Sequence, residues 1–456
     1  MLSFLKDRQT YFYLLLLVSV GIGLQSVIYK VAIIGLLLQW IIQGEYKQKL
    51  TGVVKNNLAA SLIGLYFFLA ISFFWSENKI VAITDAMLKL PLVIFPLVIL
   101  SQKRLSAKEI NQVFLAFALS SCLLNLFCMW DAVSSFINTG KINEFYYYNL
   151  TINMHTAYQA MFTSFSIVIF FYLFIEENVI SNWLAYFAIA IQVIFVFLLS
   201  SRMQILIMMV ILPTFFIGYY YKRKKPVIGL LYALFLFVFS YLIITIPSAL
   251  NYRYKQTISQ IKSVGGDSSD PRNFIWTAGL QVVKKNFLIG AGSGDAKDLL
   301  LDEYSQAIIE NPLADTLVDS MVSKMKKRNK IVSYFKKKSS NNNITFEKKL
   351  TDYARNILGK KNKNYKNALK KEYNFHNQYF QIFAVIGFFG LILFCYLLFT
   401  PFVLSIRNKD YFFALFLFIV GFSFLTESML ERQAGTSFFP FFYVIFLSVI
   451  NQNKLS

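Results

Sequence analysis

The chain has 456 residues, of which 56% are hydrophobic and 18% aromatic, and its formal net charge is +21. This apolar share exceeds what a soluble fold of this length needs to bury, so we predict an all-α, polytopic membrane protein. On a chain that lies mostly in lipid, the positive charge favours anionic head groups or anionic substrates as partners, and not nucleic acid.

The three cysteines, Cys122, Cys128 and Cys395, all fall within apolar segments. They offer neither a disulfide framework nor a metal-ligand spacing, so we expect them to pack as small hydrophobic side chains. The sequence indicates neither a metal nor a cofactor. No cleavage pattern follows the first apolar segment, which favours a signal anchor over a removed signal peptide.

Hydropathy predicts about twelve membrane-spanning helices. The predicted cores are 11–28, 31–43, 56–74, 86–100, 112–130, 156–174, 182–199, 203–220, 226–246, 377–404, 411–426 and 438–450. The stretch from 183 to 221 is almost continuously apolar and long enough for two passages, so a turn is predicted near Arg202.

Lysine and arginine are concentrated in the short loops on one side, about fifteen residues against about five on the other. The bias places both termini in the cytoplasm. The external face then receives both histidines, His155 and His376, together with Arg202 and the large extramembrane segment 248–375.

The chain therefore divides into an N-terminal transmembrane bundle of about nine helices, an external loop, and about three C-terminal transmembrane helices. Their predicted bounds are 1–247, 248–375 and 376–456. Within the loop, Asp270 and Pro271 read as the start of a helix that continues through Val283. The Lys-rich stretch near 304–371 is expected to be a partly mobile insertion.

Several external residues are candidates for binding an anion. Arg202 lies between two apolar helices, so it either reaches the water interface or clamps an anion. Arg272 follows the predicted helix start, where it is either solvated or part of such a clamp. Gly290, Gly292 and Gly294 present amide groups that suit a phosphate, although glycine-rich stretches also serve simply as turns.

His376 stands where the basic segment ends and an apolar helix begins. The positive end of a helix dipole favours a neutral imidazole that can accept a proton, although an interfacial histidine can equally be a structural hydrogen-bonding residue. His155 enters its predicted span in the same manner and carries the same two interpretations.

Acidic residues near the predicted spans have simpler explanations. Glu427 and Glu431, beside Arg432, are compatible with metal binding or acid chemistry, but this spacing is more typical of an ion-paired helix end. Asp85 and Lys89 lie four residues apart at the start of the fourth span, so we expect them to pair.

Seven motifs occur in an order and spacing that resemble the O-antigen ligase and polymerase superfamily. In chain order they are Phe73-Phe74-Trp75-Ser76, His155-Thr156-Ala157-Tyr158, Leu199-Ser200-Ser201-Arg202, Arg272-Asn273-Phe274-Ile275-Trp276, the glycine turn from Asn286 to Asp295, Phe375-His376-Asn377-Gln378-Tyr379, and Gly387-Phe388-Phe389-Gly390. The resemblance covers most of the chain outside the Lys-rich insertion, which is longer than expected for the family.

The resemblance implies a GT-C-like glycosyltransferase of the bacterial inner membrane with its active face in the periplasm. Such an enzyme moves a glycan from undecaprenyl pyrophosphate to a hydroxyl of lipid A-core or another glycan acceptor. Arg202 and Arg272 would grip the pyrophosphate without a metal, and His376 would accept the proton of the attacking hydroxyl, giving inversion. The possible supporting residues are His155, Asn377, Gln378, Gly290, Gly292, Gly294 and Glu427.

Two alternatives remain open in the sequence. A polymerase of the same superfamily, which extends the lipid-linked repeat, differs from a ligase only in its acceptor. A flippase for lipid-linked oligosaccharides belongs to another class, and it would distribute cationic residues through a central cavity instead of gathering them at one face.

Overall fold

The computed structural model describes residues 7–152, 154–175, 177, 179–232, 234, 238, 271–309, 315–326 and 346–453. Within these ranges the chain is predominantly helical and contains no β-strand, which confirms the all-α prediction. The helices are α1 (Arg8–Leu24), α2 (Ile28–Gln43), α3 (Tyr46–Val54), α4 (Asn57–Ile71), α5 (Lys79–Leu88), α6 (Pro91–Ser101), α7 (Ala107–Thr139), α8 (Thr156–Ile175), α9 (Asn182–Leu198), α10 (Arg202–Lys222), α11 (Pro271–Lys285), α12 (Ala296–Ile309), α13 (Asp315–Lys326), α14 (Phe346–Lys370), α15 (Gln378–Arg407), α16 (Tyr411–Phe424) and α17 (Gln433–Asn453).

The described helices have the lengths and compositions of a polytopic membrane protein. Six helical segments, one of them formed by α5 and α6 together, are long and apolar enough to cross a membrane, or seven if the bent pair α2 and α3 forms one span. Shorter apolar helices accompany them. Each predicted span falls on an apolar helix except the ninth, 226–246, which lies largely outside the described residues. The polytopic architecture is thus confirmed, while the number of twelve spans stays a prediction.

Helix α8 occupies the centre of the bundle. Its most apolar stretch is 89% buried, because other helices cover it on nearly every side. Phe162 stacks on Phe438 at 4.4 Å between ring centroids, and Phe165 lies 5.0 Å from both Phe416 and Phe442. Aromatic rings from α8, α16 and α17 therefore form the core that holds the C-terminal helices in place.

The cysteines behave as the sequence predicts. Cys122 and Cys128 are buried in α7 and Cys395 is partly buried in α15, and all three are free thiols. They contribute packing and no covalent link.

Helix α15 is divided by a kink at Ile386 and Gly387, where the backbone leaves the helical region. Beyond the kink, large apolar side chains such as Phe389 and Phe399 are exposed, at 58% and 60%. From Phe388 to Arg407 the helix is about 20 residues or about 30 Å long, which matches the hydrocarbon thickness of a bilayer. The part of α15 after the kink is therefore long enough by itself to cross the hydrocarbon core, and Gln378 to Val385 precede the kink.

The described parts of the segment 248–375 are helical. Helix α11 begins at Pro271 and continues past Val283, as predicted, whereas Asp270 lies outside the described residues. Within the Lys-rich stretch, α14 turns an apolar edge inward, and its Tyr365 ring packs 5.0 Å from Phe274 of α11. Residues 310–314 and 327–345 of this stretch lie outside the described residues.

Candidate functional site

His376 lies in a tight turn immediately before α15. Its φ is +45°, and its amide donates to Oδ1 of Asn374 at 3.0 Å. The side chain of Asn377 caps the helix by accepting from the amides of Tyr379 and Phe380 at 2.9 and 3.1 Å. His376 therefore precedes the helix cap and does not open the helix itself, so a side chain and not the helix dipole orients its ring.

Glu427 is the residue that orients the ring. Nδ1 of His376 lies 3.0 Å from Oε2 of Glu427. Two further bonds join the same loops: the Asn377 amide donates to Oγ of Ser428 at 3.3 Å, and the Leu430 amide donates to the side-chain oxygen of Gln378 at 2.6 Å. The loop before α15 and the loop before α17 thus hold His376 and Glu427 in a fixed relation.

The carboxylate of Glu427 is shared between His376 and Arg272. Its Oε1 lies 3.8 Å from Nη2 of Arg272. Burial favours the neutral acid, but the hydrogen bond and charge of His376, followed by the charges of His155 and Arg272, lower the pKa of Glu427 below its ordinary value. An ionised Glu427 has only acceptor oxygens, so Nδ1 of His376 is the donor in this hydrogen bond.

Helix α11 positions Arg272 through residues spaced along one helical face. Trp276 donates its indole N–H to the carbonyl of Phe375 at 3.2 Å. A Cβ on Gly279 would lie 2.9 Å from the Phe375 ring, so only glycine permits this close approach. Arg272, one turn before Trp276, donates to the carbonyl of Thr426 at 3.4 Å. The same face of α11 therefore contacts the turn that contains His376 and presents the Arg272 guanidinium to Glu427.

Arg202 is the first residue of α10, which confirms the turn predicted near it. Ser200, just before it, adopts a left-handed backbone with φ of +52°. Gln204, buried one half-turn later, donates to Oγ of Ser423 at 2.6 Å. Because Ser423 precedes Glu427 by one helical turn, Arg202 lies at the same end of the bundle as Glu427 and Arg272.

His155 lies within range of the same charges, but both of its ring nitrogens are engaged. Nε2 lies 3.0 Å from the Tyr148 hydroxyl, and Nδ1 accepts from the Ala157 amide at 3.3 Å. Burial lowers the pKa of His155; Glu427 opposes this shift, while nearby cations including Arg432 reinforce it. A neutral ring with two occupied nitrogens favours a role as a helix-entry residue.

The glycine turn packs against the kink of α15. The amides of Gly292 and Gly294 donate to the carbonyl of Val385 at 2.9 Å and to Oγ of Ser76 at 3.1 Å. Gly290 has a φ of +77°, and a Cβ there would lie 2.3 Å from the Val385 carbonyl oxygen. Since Gly292 and Gly294 already donate to protein oxygens, the geometry favours a close-packed turn over a phosphate cradle.

A buried ion-pair group lies beside the site. Lys89 is only 1% exposed and pairs with Asp85, as predicted, and also with Oε1 of Glu431 at 3.1 Å. Glu431 adjoins Leu430, whose amide binds Gln378, so this group supports the loop that carries Glu427. Glu427 and Glu431 are therefore both ion-paired, as the sequence analysis expects from their spacing beside Arg432.

Sequence reasoning assigned no role to Ser428 or to the indole of Trp276. Trp276 lies within one of the family motifs, so the sequence did indicate that its position matters. Nothing in the sequence indicates that Ser428 accepts a hydrogen bond from the Asn377 amide, because the two residues are 51 positions apart. Among the described residues, no group of three or more His, Cys, Asp or Glu side chains could hold a metal ion.

Comparison with known proteins finds a family that matches part of the chain. Residues 185–315 match the family model described as O-antigen ligase, and this range includes Arg202, Arg272 and the glycine turn. No curated protein matches the chain. The family suggests O-antigen ligase or polymerase activity, which is glycosyl transfer from a lipid-linked glycan. The family match over residues 185–315 thus supports the resemblance of the ordered motifs to the O-antigen ligase and polymerase superfamily.

Proposed function

We propose that the chain is an O-antigen ligase-like glycosyltransferase of the bacterial inner membrane, with both termini in the cytoplasm. It transfers a glycan from undecaprenyl pyrophosphate to a hydroxyl of lipid A-core or a similar acceptor at the periplasmic face. The observation that carries the proposal is the contact of His376 and Arg272 with the two oxygens of one buried carboxylate, at 3.0 and 3.8 Å.

In this proposal His376 is the base. Nε2 takes the proton of the acceptor hydroxyl as that oxygen attacks the anomeric carbon, and the bond between this carbon and the pyrophosphate oxygen breaks. Glu427 stabilises the imidazolium that forms, because its carboxylate stays ionised beside Nδ1. Attack from the side opposite the leaving group inverts the anomeric configuration.

The two arginines bind the leaving group. A guanidinium offers a planar fork of donors that matches phosphate oxygens, and two of them offset the charge that develops on pyrophosphate as it departs. The binding step thus needs no metal in this proposal. These cationic residues lie at one end of the bundle. This location supports a transferase better than a flippase, because a flippase needs cationic residues along a central path.

The assignment of His376 is tested by His376→Ala in a strain lacking the native enzyme. We expect loss of surface-glycan attachment with normal protein abundance, and unchanged attachment overturns the role of the base. Arg202→Lys and Arg272→Lys keep the charge but lose the fork, so the KM for the donor should rise about tenfold. Arg223→Lys, at the other end of α10, is the matched control and should leave transfer unchanged.

The acceptor separates a ligase from a polymerase of the same superfamily. A deletion strain of a ligase accumulates long lipid-linked chains and loses all attached polymer. A polymerase deletion leaves an acceptor that carries a single repeat. A flippase defect would instead trap short intermediates on the cytoplasmic side.

A further inference from the structure

The motif His155-Thr156-Ala157-Tyr158 has one member whose contacts the proposed chemistry does not use. Tyr158 lies in the first turn of α8 and is only 4% exposed. Its ring packs edge-on against the His155 ring, with 6.2 Å between the two centroids. Because the side chain is enclosed by protein, its hydroxyl must find hydrogen-bond partners within the fold.

The partners of the Tyr158 hydroxyl lie directly after Glu427 in the chain. The hydroxyl donates to the carbonyl oxygens of Ser428 and Met429, each at 3.2 Å. Since a hydroxyl has one proton, the two carbonyls share a three-centre hydrogen bond. Tyr158 thus links the central helix α8 to the backbone of the loop that carries Glu427.

Two further contacts fix the same piece of backbone. A Cβ on Gly435, in the first turn of α17, would overlap the Met429 carbonyl oxygen and would lie 3.3 Å from Cε1 of Tyr158, so α17 meets this contact without room for a side chain. Oγ of Ser428 accepts from the Asn377 amide at 3.3 Å. The backbone that Tyr158 binds is therefore the one that also contacts the residue after His376.

We infer that Tyr158 is a positioning residue, which holds the backbone after Glu427 so that the carboxylate reaches Nδ1 of His376. Groups that act together in a site must be held within about 0.5 Å of their working geometry. Glu427 directly precedes the two bonded carbonyls, so a shift of this backbone also shifts its carboxylate. That the hydrogen bond between His376 and Glu427 serves glycosyl transfer rests on the proposed function, whereas its dependence on Tyr158 does not.

The first test follows this hydrogen bond by NMR of the full chain labelled with 15N-histidine. The chain contains only two histidines, so His376→Ala assigns both rings. Tyr158→Phe removes the hydroxyl and keeps the ring, and we expect it to shift the Nδ1 resonance of His376 towards its position in Glu427→Gln. Tyr443→Phe is the matched control, because its buried hydroxyl also donates to a backbone carbonyl, that of Leu397 at 2.9 Å, and it should leave the resonance unchanged.

The second test is the initial rate of glycan transfer. We expect Tyr158→Phe to lower kcat about two- to tenfold, which is the effect of one hydrogen bond between uncharged groups. The KM for the donor should stay constant, because α11 positions Arg272. Tyr443→Phe should keep the native kcat. Thermal unfolding is measured first, and rates and spectra are recorded below the lowest melting temperature, so that every variant is compared in its folded state.

An unchanged His376 resonance in Tyr158→Phe, or an equal shift in Tyr443→Phe, overturns the inference, because a hydroxyl with a merely structural role would lower the melting temperature alone. A shifted resonance with an unchanged kcat upholds the positioning by Tyr158 and contradicts the proposed function, which needs the hydrogen bond between His376 and Glu427. The two failures are thereby distinguished.

Discussion

Replacing Glu427 with Gln tests the chemistry of the site most directly, because the substitution keeps the shape and removes the charge. The Glu427 side chain is 12% exposed and lies 3.0 Å from Nδ1 of His376. A hydrogen bond to a charged group contributes about 1.5 to 3 kcal/mol, whereas the pair with the more exposed Arg272, at 3.8 Å, contributes at most about 1 kcal/mol. If the transition state loses the free energy of the hydrogen bond between His376 and Glu427, kcat falls about 10- to 150-fold.

The assay is the initial rate of glycan transfer by purified protein with a lipid-linked donor. The KM for the donor should stay constant or fall, because Arg272 loses a carboxylate that competes with pyrophosphate. Glu303→Gln is the matched control: its side chain is 11% exposed and also ion-paired, but with Lys285. An unchanged kcat in Glu427→Gln, or an equal loss in Glu303→Gln, would refute the reasoning.

Three further predictions concern stability. Because the pKa of Glu427 is lowered from 4.5, the stabilisation by its pairs is present at and above pH 4.5 and is lost as pH falls through the lowered value; melting curves should show this acid-side loss in the native protein and not in Glu427→Gln. Gly290→Ala should lower the free energy of unfolding by about 1 to 3 kcal/mol or more, while Gly64→Ala, with open space at its Cβ, should not, as measured by denaturation in detergent. Lys89→Met leaves Glu431 buried without its cation and should cost about 3 to 5 kcal/mol in the same measurement; a cost below 1 kcal/mol would contradict the buried pair.

Features that depend on neighbouring residues could be predicted from the sequence. The helix starting at Pro271 and the break before Arg202 follow from local backbone preferences and from the length of an apolar run. The pairing of Asp85 with Lys89 follows from helical spacing. These signals lie within one or two helical turns, so no knowledge of the fold is required to read them.

The role of the glycine turn could not be predicted from the local sequence. Its composition suits both a phosphate cradle and a tight turn, and only the packing against α15 distinguishes the two. Gly290 must be glycine because Val385, far away in the sequence, occupies the space a side chain would need. Similarly, the acidic spacing at Glu427 indicates an ion pair without naming its partner.

The sequence by itself determined that this is a helical membrane protein, where most of its helices begin, and which family its motifs resemble. Apolar periodicity and helix caps depend on residues that are close in the sequence, so they can be recognised from a single sequence. Only the tertiary structure decided that Glu427 orients His376 across 51 residues, and that Arg272 reaches the same carboxylate. Those contacts arise from the packing of α11, α15 and α16, and this packing depends on side chains distributed over the whole bundle.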